Sequence, residues 1–178
     1  RPDGSMRWIR DRGKPLGIRD LVAGIAEDIT ERKQSEAALA EQKRLYQSVT
    51  DNASVALFIM DERQHCVFMN PAAEQLTGYR LVETQGRPLH DVVHHTRPNG
   101  RSYPLSECPI DQAFPQTNQM QGEEVFTHKD GHFYHVAFTA SPLRDEAGKP
   151  VGTVIEIQDI TERKQAEEQL RENEERLR

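Results

Sequence analysis

Cysteine is nearly absent from this chain. Its 178 residues include two, Cys66 and Cys108, and neither belongs to a CxxC pair. Two isolated cysteines provide no disulfide framework and no paired-thiolate zinc motif. A reducing compartment, the cytoplasm, is therefore expected. Long apolar runs are missing too: nothing approaches the ~18 consecutive apolar residues of a membrane span, so any membrane anchor of a parent protein would lie elsewhere. Positive charge is in deficit. The formal net charge of −6 argues against a nucleic-acid partner. No secretory leader is visible, which is uninformative if the N-terminus has been cut. There is also no phosphate-binding glycine loop, no nucleophile–base pattern and no kinase or cyclase motif, so the chain is expected to regulate rather than to catalyse.

What is present is one core's worth of apolar residues, 35% against 29% charged, which suits a modest core with polar helices outside it. The most informative feature is a repeat. The stretch Asp-Ile-Thr-Glu-Arg-Lys-Gln begins at Asp28 and again at Asp159, 131 positions later, about one small domain. Upstream, Asp3-Gly4 matches Asp130-Gly131, and Gly13-Lys14-Pro15 matches Gly148-Lys149-Pro150. One strand-to-helix exit is thus written twice, as in a modular array. The expected organisation is a hairpin remnant of a preceding module (1–30), a connecting helix (31–50), one complete module (51–161) and an exit helix (162–178).

Within the complete module, Val55–Met60 reads as a buried strand, residues 61–64 as a polar turn and His65–Met69 as the returning strand. Asn70 and Pro71 open a helix, as N-cap and first helical residue. Gly78 closes it at Thr77. A second short helix ends near Gly86, and a third spans about Leu89 to His95. Residues 96–107 form a polar loop. Ser106 is expected to cap a helix starting at Cys108-Pro109 and running to Phe114, with Pro115 ending it. Strands follow at Glu123–His128, His132–Ser141 and Val151–Ile157, with a tight turn at Lys129–Gly131 and a hairpin loop over Arg144–Pro150. Joined as hairpins, these strands make a five-stranded antiparallel sheet with helices on one face, an α+β fold.

The ordered set Asn70-Pro71-Ala72-Ala73, Leu76-Thr77-Gly78-Tyr79, Gly86-Arg87, the Asp130-Gly131 hairpin and Asp159-Ile160-Thr161-Glu162-Arg163 resembles a PAS domain over about Arg44 to Gln165. The first thirty residues resemble the last hairpin of another. The resemblance implies a sensory or signal-transmitting module of a bacterial multi-domain protein. A sensor histidine kinase is the expected parent; a ligand-free dimerisation and linker module, or the input of a diguanylate cyclase, is the alternative. It also implies that the corners Asp28-Ile29-Thr30 and Asp159-Ile160-Thr161, with Glu162 and Arg163, couple the sheet to the exit helix. Asp159 or Thr161 would cap that helix.

The helices after both corners carry one phase: Arg32, Ser35, Leu39, Gln42, Tyr46, Val49, and Arg163, Ala166, Leu170, Asn173, Leu177. Alternating spacings of three and four fit a heptad seam with polar interruptions. Leu39, Tyr46, Val49, Ala166, Leu170 and Leu177 are the candidate seam of a parallel homodimer; packing of each helix on its own sheet is the competing reading. The other expected partners are adjoining PAS, kinase or cyclase domains of the parent chain and a small-molecule ligand.

No cofactor is assigned. His90 and His94 lie on one helical face, a possible metal pair, and His128, His132 and His135 cluster at the hairpin, but neither group has an assignable third ligand, so no metal is expected. The resemblance makes His94 or His95 the haem-ligand candidate. For flavin, Leu89 stands where light-sensing PAS domains carry the adduct-forming cysteine, Pro88 where they carry asparagine, and Glu156 where they carry a flavin-contacting glutamine. Leucine has no nucleophile, which removes adduct chemistry. The 94–110 stretch resembles an insertion found in a subgroup of PAS domains and is long enough to cover a pocket. Cys108 is either a redox-sensitive thiol at a helix start or a small buried anchor. Tyr103 closes the loop on the core. His94, His95, Tyr103, Cys108 and Glu156 are the candidate ligand-binding residues. Glu156 and Gln158 are the only polar residues expected to point into the pocket, and their strand's alternation allows either face.

Overall fold

The computed structural model describes residues 6–15, 22–112 and 119–177. The chain divides into two compact units, Arg1–Val49 and Thr50–Arg178. In the first, β1 (Ile9–Pro15) pairs antiparallel with β2 (Val22–Asp28), Ile9 opposite Asp28 and Pro15 opposite Val22. Helix α1 (Thr30–Asp51) follows and buries none of its residues. Asp3 and Gly4 lie outside the described residues. The match of Gly13–Pro15 to Gly148–Pro150 is not a structural equivalence. The former is the end of β1, whereas Gly148 and Lys149 form a turn and Pro150 opens a strand.

The second unit runs β3 (Ala56–Met60), β4 (Cys66–Met69), α2 (Pro71–Thr77), α3 (Leu81–Thr84), α4 (His90–Val93), a 3-10 turn at Leu105–Glu107, α5 (Pro109–Gln112), β5 (Met120–Thr127), β6 (Phe133–Arg144), β7 (Pro150–Asp159) and α6 (Thr161–Arg176). The five strands form one antiparallel sheet in the order β4-β3-β7-β6-β5. Period-two alternation decides its faces. Phe58, Ile155, Ile157, Val136, Phe138 and Phe126 point into one core, where Ala73, Leu89, Val92, Val93 and Ile110 from the helices meet them. This is the expected α+β architecture.

Local chemistry explains its corners. Asn70 is fully buried. Its Oδ1 accepts from the Ala73 and Leu57 amides, each at 2.9 Å, and its Nδ2 donates to the Thr50 and Val55 carbonyls, each at 3.0 Å. One carboxamide therefore caps α2 and holds the chain entering β3. Gly78 ends α2 at φ +75°, and a Cβ there would also sit 2.5 Å from His128 Nε2. At Gly152 a Cβ would meet the Met60 carbonyl oxygen at 2.2 Å, so only glycine lets β7 lie this close to β3.

Several boundaries move. α4 covers four residues rather than Leu89–His95, and β6 continues to Arg144 because its pairing with β7 runs through the expected loop start. β5 starts at Met120, opposite Ala140. Ser106 is no helix cap: it lies inside the 3-10 turn, and Cys108 follows that turn. The expected helix end at Phe114 and Pro115 lies outside the described residues. No helix among the described residues is long and apolar enough to cross a membrane.

Candidate functional site

Between α4, the 94–110 insertion and the sheet lies a cavity of about 10 Å³, lined by His90, His94, Cys108, Asp111, Phe126 and Ile155 among others. The insertion folds back on α4. Thr96 bridges Ser102, and the Tyr103 amide donates to the His95 carbonyl at 2.9 Å. This turn brings Tyr103 edge-on to His94, ring centres 4.4 Å apart, with the Arg97 guanidinium over the Tyr103 ring at 3.9 Å. His90 Nε2 lies 2.9 Å from the Tyr103 carbonyl oxygen. His94 Nδ1 lies 3.4 Å from Cys108 Sγ and its Nε2 3.1 Å from a Glu124 carboxyl oxygen.

Burial, reinforced by the nearby His90, Arg97 and His95, pushes the His94 pKa down to about 3. The ring is therefore neutral near pH 7, and its contact with Glu124 is a hydrogen bond rather than an ion pair. Burial raises the Glu124 carboxyl, and it pushes the Cys108 thiol up to about 11, although the Asp111 and Ile110 amides face the sulfur and oppose the shift. A thiol held that far above neutrality is not the activated nucleophile of a redox sensor.

The structure sorts the candidate residues. His94 and Cys108 meet at the cavity, and Tyr103 packs on His94 without lining it. His95 does not: it is exposed and bonds to Thr96 at 2.6 Å. Glu156 and Gln158 are exposed on the opposite sheet face, because Ile155 and Ile157 take the inward positions of β7. An inward polar residue that the sequence reading missed is Glu124 on β5. It stands opposite Val136, and its carboxylate also accepts from the Tyr103 hydroxyl at 3.4 Å. The alternation Gly122, Glu124, Phe126 carried that signal in the sequence. His128 and His132 stack at the hairpin with centres 4.7 Å apart, both on Asp130; hydrogen bonds from His132 chiefly, then His128, hold that carboxyl at about 2. His135 is tied elsewhere, at the exit corner.

At that corner the Asp159 carboxylate accepts from the Thr161 amide at 2.8 Å, and the Thr161 hydroxyl accepts from the His135 amide at 3.0 Å. The Ile160 amide donates to the His135 carbonyl at 2.9 Å. Asp159 is thus the side chain that satisfies the helix start, while Thr161 ties the first residue of α6 to β6. Arg163 and Lys164 both pair with Glu123 on β5; Glu162 is exposed. The earlier corner repeats the pattern. Thr30 N donates to Asp28 at 3.1 Å, Trp8 N to the Thr30 hydroxyl at 2.9 Å, and Ile29 N to the Trp8 carbonyl at 2.9 Å. Beyond the corners α6, like α1, buries no residue: Leu39, Tyr46, Val49, Ala166, Leu170 and Leu177 are all exposed in the single chain. Neither seam is buried against a sheet.

Neither flavin nor haem fits the cavity between α4 and the sheet. Pockets that hold organic ligands span roughly 300–1,000 Å³, far above this cavity; a separate open space of about 310 Å³ is lined by Arg97, Tyr103 and Glu124 and does not include His94 or Cys108. A flavin finds Leu89 inside and Glu156 outside. A haem finds no room beside His94, whose ring faces a cavity of about 10 Å³.

The PAS fold family matches residues 44–160. The chain is 33% identical over 154 residues, 86% of its length, to the probable diguanylate cyclase DgcE of Escherichia coli, covering 14% of that protein. It is 28% identical over 181 residues to the two-component sensor PprA of Pseudomonas aeruginosa, covering 98% of this chain and 19% of that one. The chain thus spans less than a fifth of these relatives. In structure it resembles the PAS domain of a protein from Colwellia psychrerythraea, with a TM-score of 0.55 and 22% identity over 70% of this chain and 98% of that one. Matched by the family over residues 44–160, the chain belongs to the PAS family of sensory modules.

Proposed function

We propose that this chain is a relay and dimerisation module of a bacterial signalling protein, passing conformational change through Asp159, Ile160 and Thr161 into α6. The observation that carries this reading is the double tether of α6: its first residue is capped by the last residue of β7 and bonded through its hydroxyl to β6. Any slide of β6 against β7 therefore changes the exit angle of the helix. The duplicated corner supports reading residues 1–30 as the exit hairpin of a preceding module, 31–50 as the connecting helix, 51–161 as the complete module and 162–178 as its exit helix. Asp28, Ile29 and Thr30 do for α1 what their counterparts do for α6, with Glu162 and Arg163 in the first turn of the exit helix.

The exposed seams pair with their counterparts in a second copy as a parallel two-stranded coiled coil. Arg163 and Asn173 interrupt the α6 seam and keep it marginal, so a change of register costs a few kcal/mol. The parent is a cytoplasmic or membrane-anchored signalling protein. Its output is a histidine kinase or a diguanylate cyclase; the 33% identity to a probable cyclase favours the second output on that one observation.

The test is crosslinking in solution. A Leu170→Cys variant is expected to form a disulfide between identical positions of two copies, while Glu172→Cys, on the far side of the helix, stays reduced. Monomers by native mass spectrometry, or equal crosslinking of both variants, would reject the coiled-coil relay.

A further inference from the structure

We propose that His90, His94 and Cys108 form an interior binding site for one zinc-class divalent transition-metal ion. The two histidines share a helical face in the sequence, and the insertion supplies the missing third group by carrying Cys108 back against α4. One ligand atom from each residue lies within 4.8 Å of the others. The three side chains are 6%, 1% and 2% exposed.

The orientation of the imidazoles is the main argument. A carbonyl oxygen only accepts, so His90 Nε2, 2.9 Å from the Tyr103 carbonyl, is the N–H, and Nδ1 carries the lone pair. That Nδ1 is buried without a hydrogen-bond partner, a destabilising state that a bound cation would relieve. His94 repeats the arrangement, with Nε2 on the Glu124 carboxyl and Nδ1 towards Cys108 Sγ. Metal-bound histidines typically donate one ring N–H to a backbone carbonyl or carboxylate and ligate through the other nitrogen. Here two histidines do so towards one cavity, which has room for a single ion or water. Two imidazoles and a thiol select zinc, cobalt or copper over magnesium or calcium. Asp111 also lines the cavity but stands outside the group of ligand atoms within 4.8 Å of one another, so the fourth position is left to water.

Binding forms a metal–sulfur bond, breaks the Cys108 S–H bond and releases that proton to solvent, with no change of oxidation state. Such an ion would lock the insertion to α4, so occupancy is read in the stability of the module. The proposal does not depend on the relay through α6.

The experiment uses the whole chain, stripped with a chelator and then titrated with zinc chloride against a chromophoric competitor and with cobalt chloride by absorption. One equivalent of zinc is expected to bind. At zinc a hundredfold above Kd, Tm should rise by roughly 5 °C or more. Cobalt should give tetrahedral visible bands and a thiolate charge-transfer band in the near ultraviolet. Cys108→Ser and His90→Gln should weaken zinc binding at least about 100-fold, and Cys108→Ser should abolish the charge-transfer band. Cys66→Ala should retain it.

The second cluster of histidine and carboxylate groups, His128, Asp130 and His132, is the internal control: a His128→Ala/His132→Ala variant should bind unchanged. A wild-type cobalt complex without the charge-transfer band overturns the proposal, and it does so even if the core variants fail to fold. So do zinc affinity indifferent to Cys108→Ser and loss of binding in the hairpin variant.

Discussion

The two exit corners of this chain are built from the same three residues and the same three long-range or capping hydrogen bonds, yet they stand on different foundations. At Asp28–Thr30 the support is a two-stranded ribbon. At Asp159–Thr161 it is a five-stranded sheet, with Ile160 buried where Ile29 is half-exposed. The corner is therefore a local device. It needs only the last hairpin: an Asp to hold the first helical amide, an Ile amide returned to the neighbouring strand, and a Thr hydroxyl for the next strand amide. The wider sheet adds global stability, since an isolated two-stranded hairpin is marginal. The same bonds should accordingly differ in how often they open. The Ile160 amide is expected to exchange at least about tenfold more slowly than the Ile29 amide, a ratio that proton exchange followed by NMR measures directly.

The largest effect should come from removing what, among the described residues, only the second unit has, a core closed by a buried polar clamp. Asn70→Ala removes the side-chain partner of two carbonyls and two amides, of which the Ala73 amide and the Thr50 carbonyl keep a backbone bond, for a loss of about 2–4 kcal/mol in chemical denaturation. The Asp159–Thr161 bonds should persist in whatever fraction remains folded. If their amide shifts collapse in that folded fraction, the corner is not local.

Acid should separate the units next. All seven histidines lie at residue 65 or beyond. In chelator-treated protein, His94 has its folded pKa depressed to about 3, below about 6.5 for an unfolded ring. As pH falls through 6.5 the unfolded chain takes up a proton that the folded ring refuses. Stability therefore falls between about pH 6.5 and 3, by up to about 1.4 kcal/mol per pH unit from this group, and is unaffected by it above pH 6.5. His94→Gln should flatten that slope. An unchanged slope in the variant would show that the ring is solvated and charged.

A smaller effect separates the capping Asp from the tethering Thr. Thr161→Val removes the acceptor for the His135 amide and should cost about 1 kcal/mol, with faster exchange at His135. Thr30→Val should leave the unfolding transition of the module where it is. Equal loss in both variants would erase the distinction between the two foundations.

Much of this architecture is legible in the sequence because its signals are local. Asn70-Pro71 starts α2, Gly78 ends it, and alternation marks the strands. What the sequence hides depends on register or on distant contacts. Glu123 and Glu124 are adjacent and alike, and the alternation with Phe126 tells them apart only once the strand's pairing opposite Val136 fixes which face is inward. Glu156 had an open choice of face, which the burial of Ile155 and Ile157 settled against the pocket. Thr161 reads as a cap because hydroxyls often cap helices, but its partner is an amide 26 positions earlier. Cys108 reaches His94 only because the insertion turns back at Thr96–Ser102.

The smallest effect concerns Glu123, which the ribbon of the first unit has no third strand to match. Its carboxylate faces Arg163 and Lys164 together, and those two cations, with their hydrogen bonds, hold it below the usual carboxylate range. In the N-terminal copy, Arg32 and Lys33 instead pair with Glu36 on their own helix. Exposed ion pairs add little to global stability and are screened by salt, so Glu123→Gln should leave the unfolding midpoint unmoved. It should instead remove the salt dependence of amide exchange in the first turn of α6, where the Lys164 backbone amide donates to the Ile160 carbonyl, and leave exchange in the first turn of α1 unchanged. If α6 frays with salt equally in the variant and the parent, the third strand adds nothing to the corner, and the two exits differ only in the sheet beneath them.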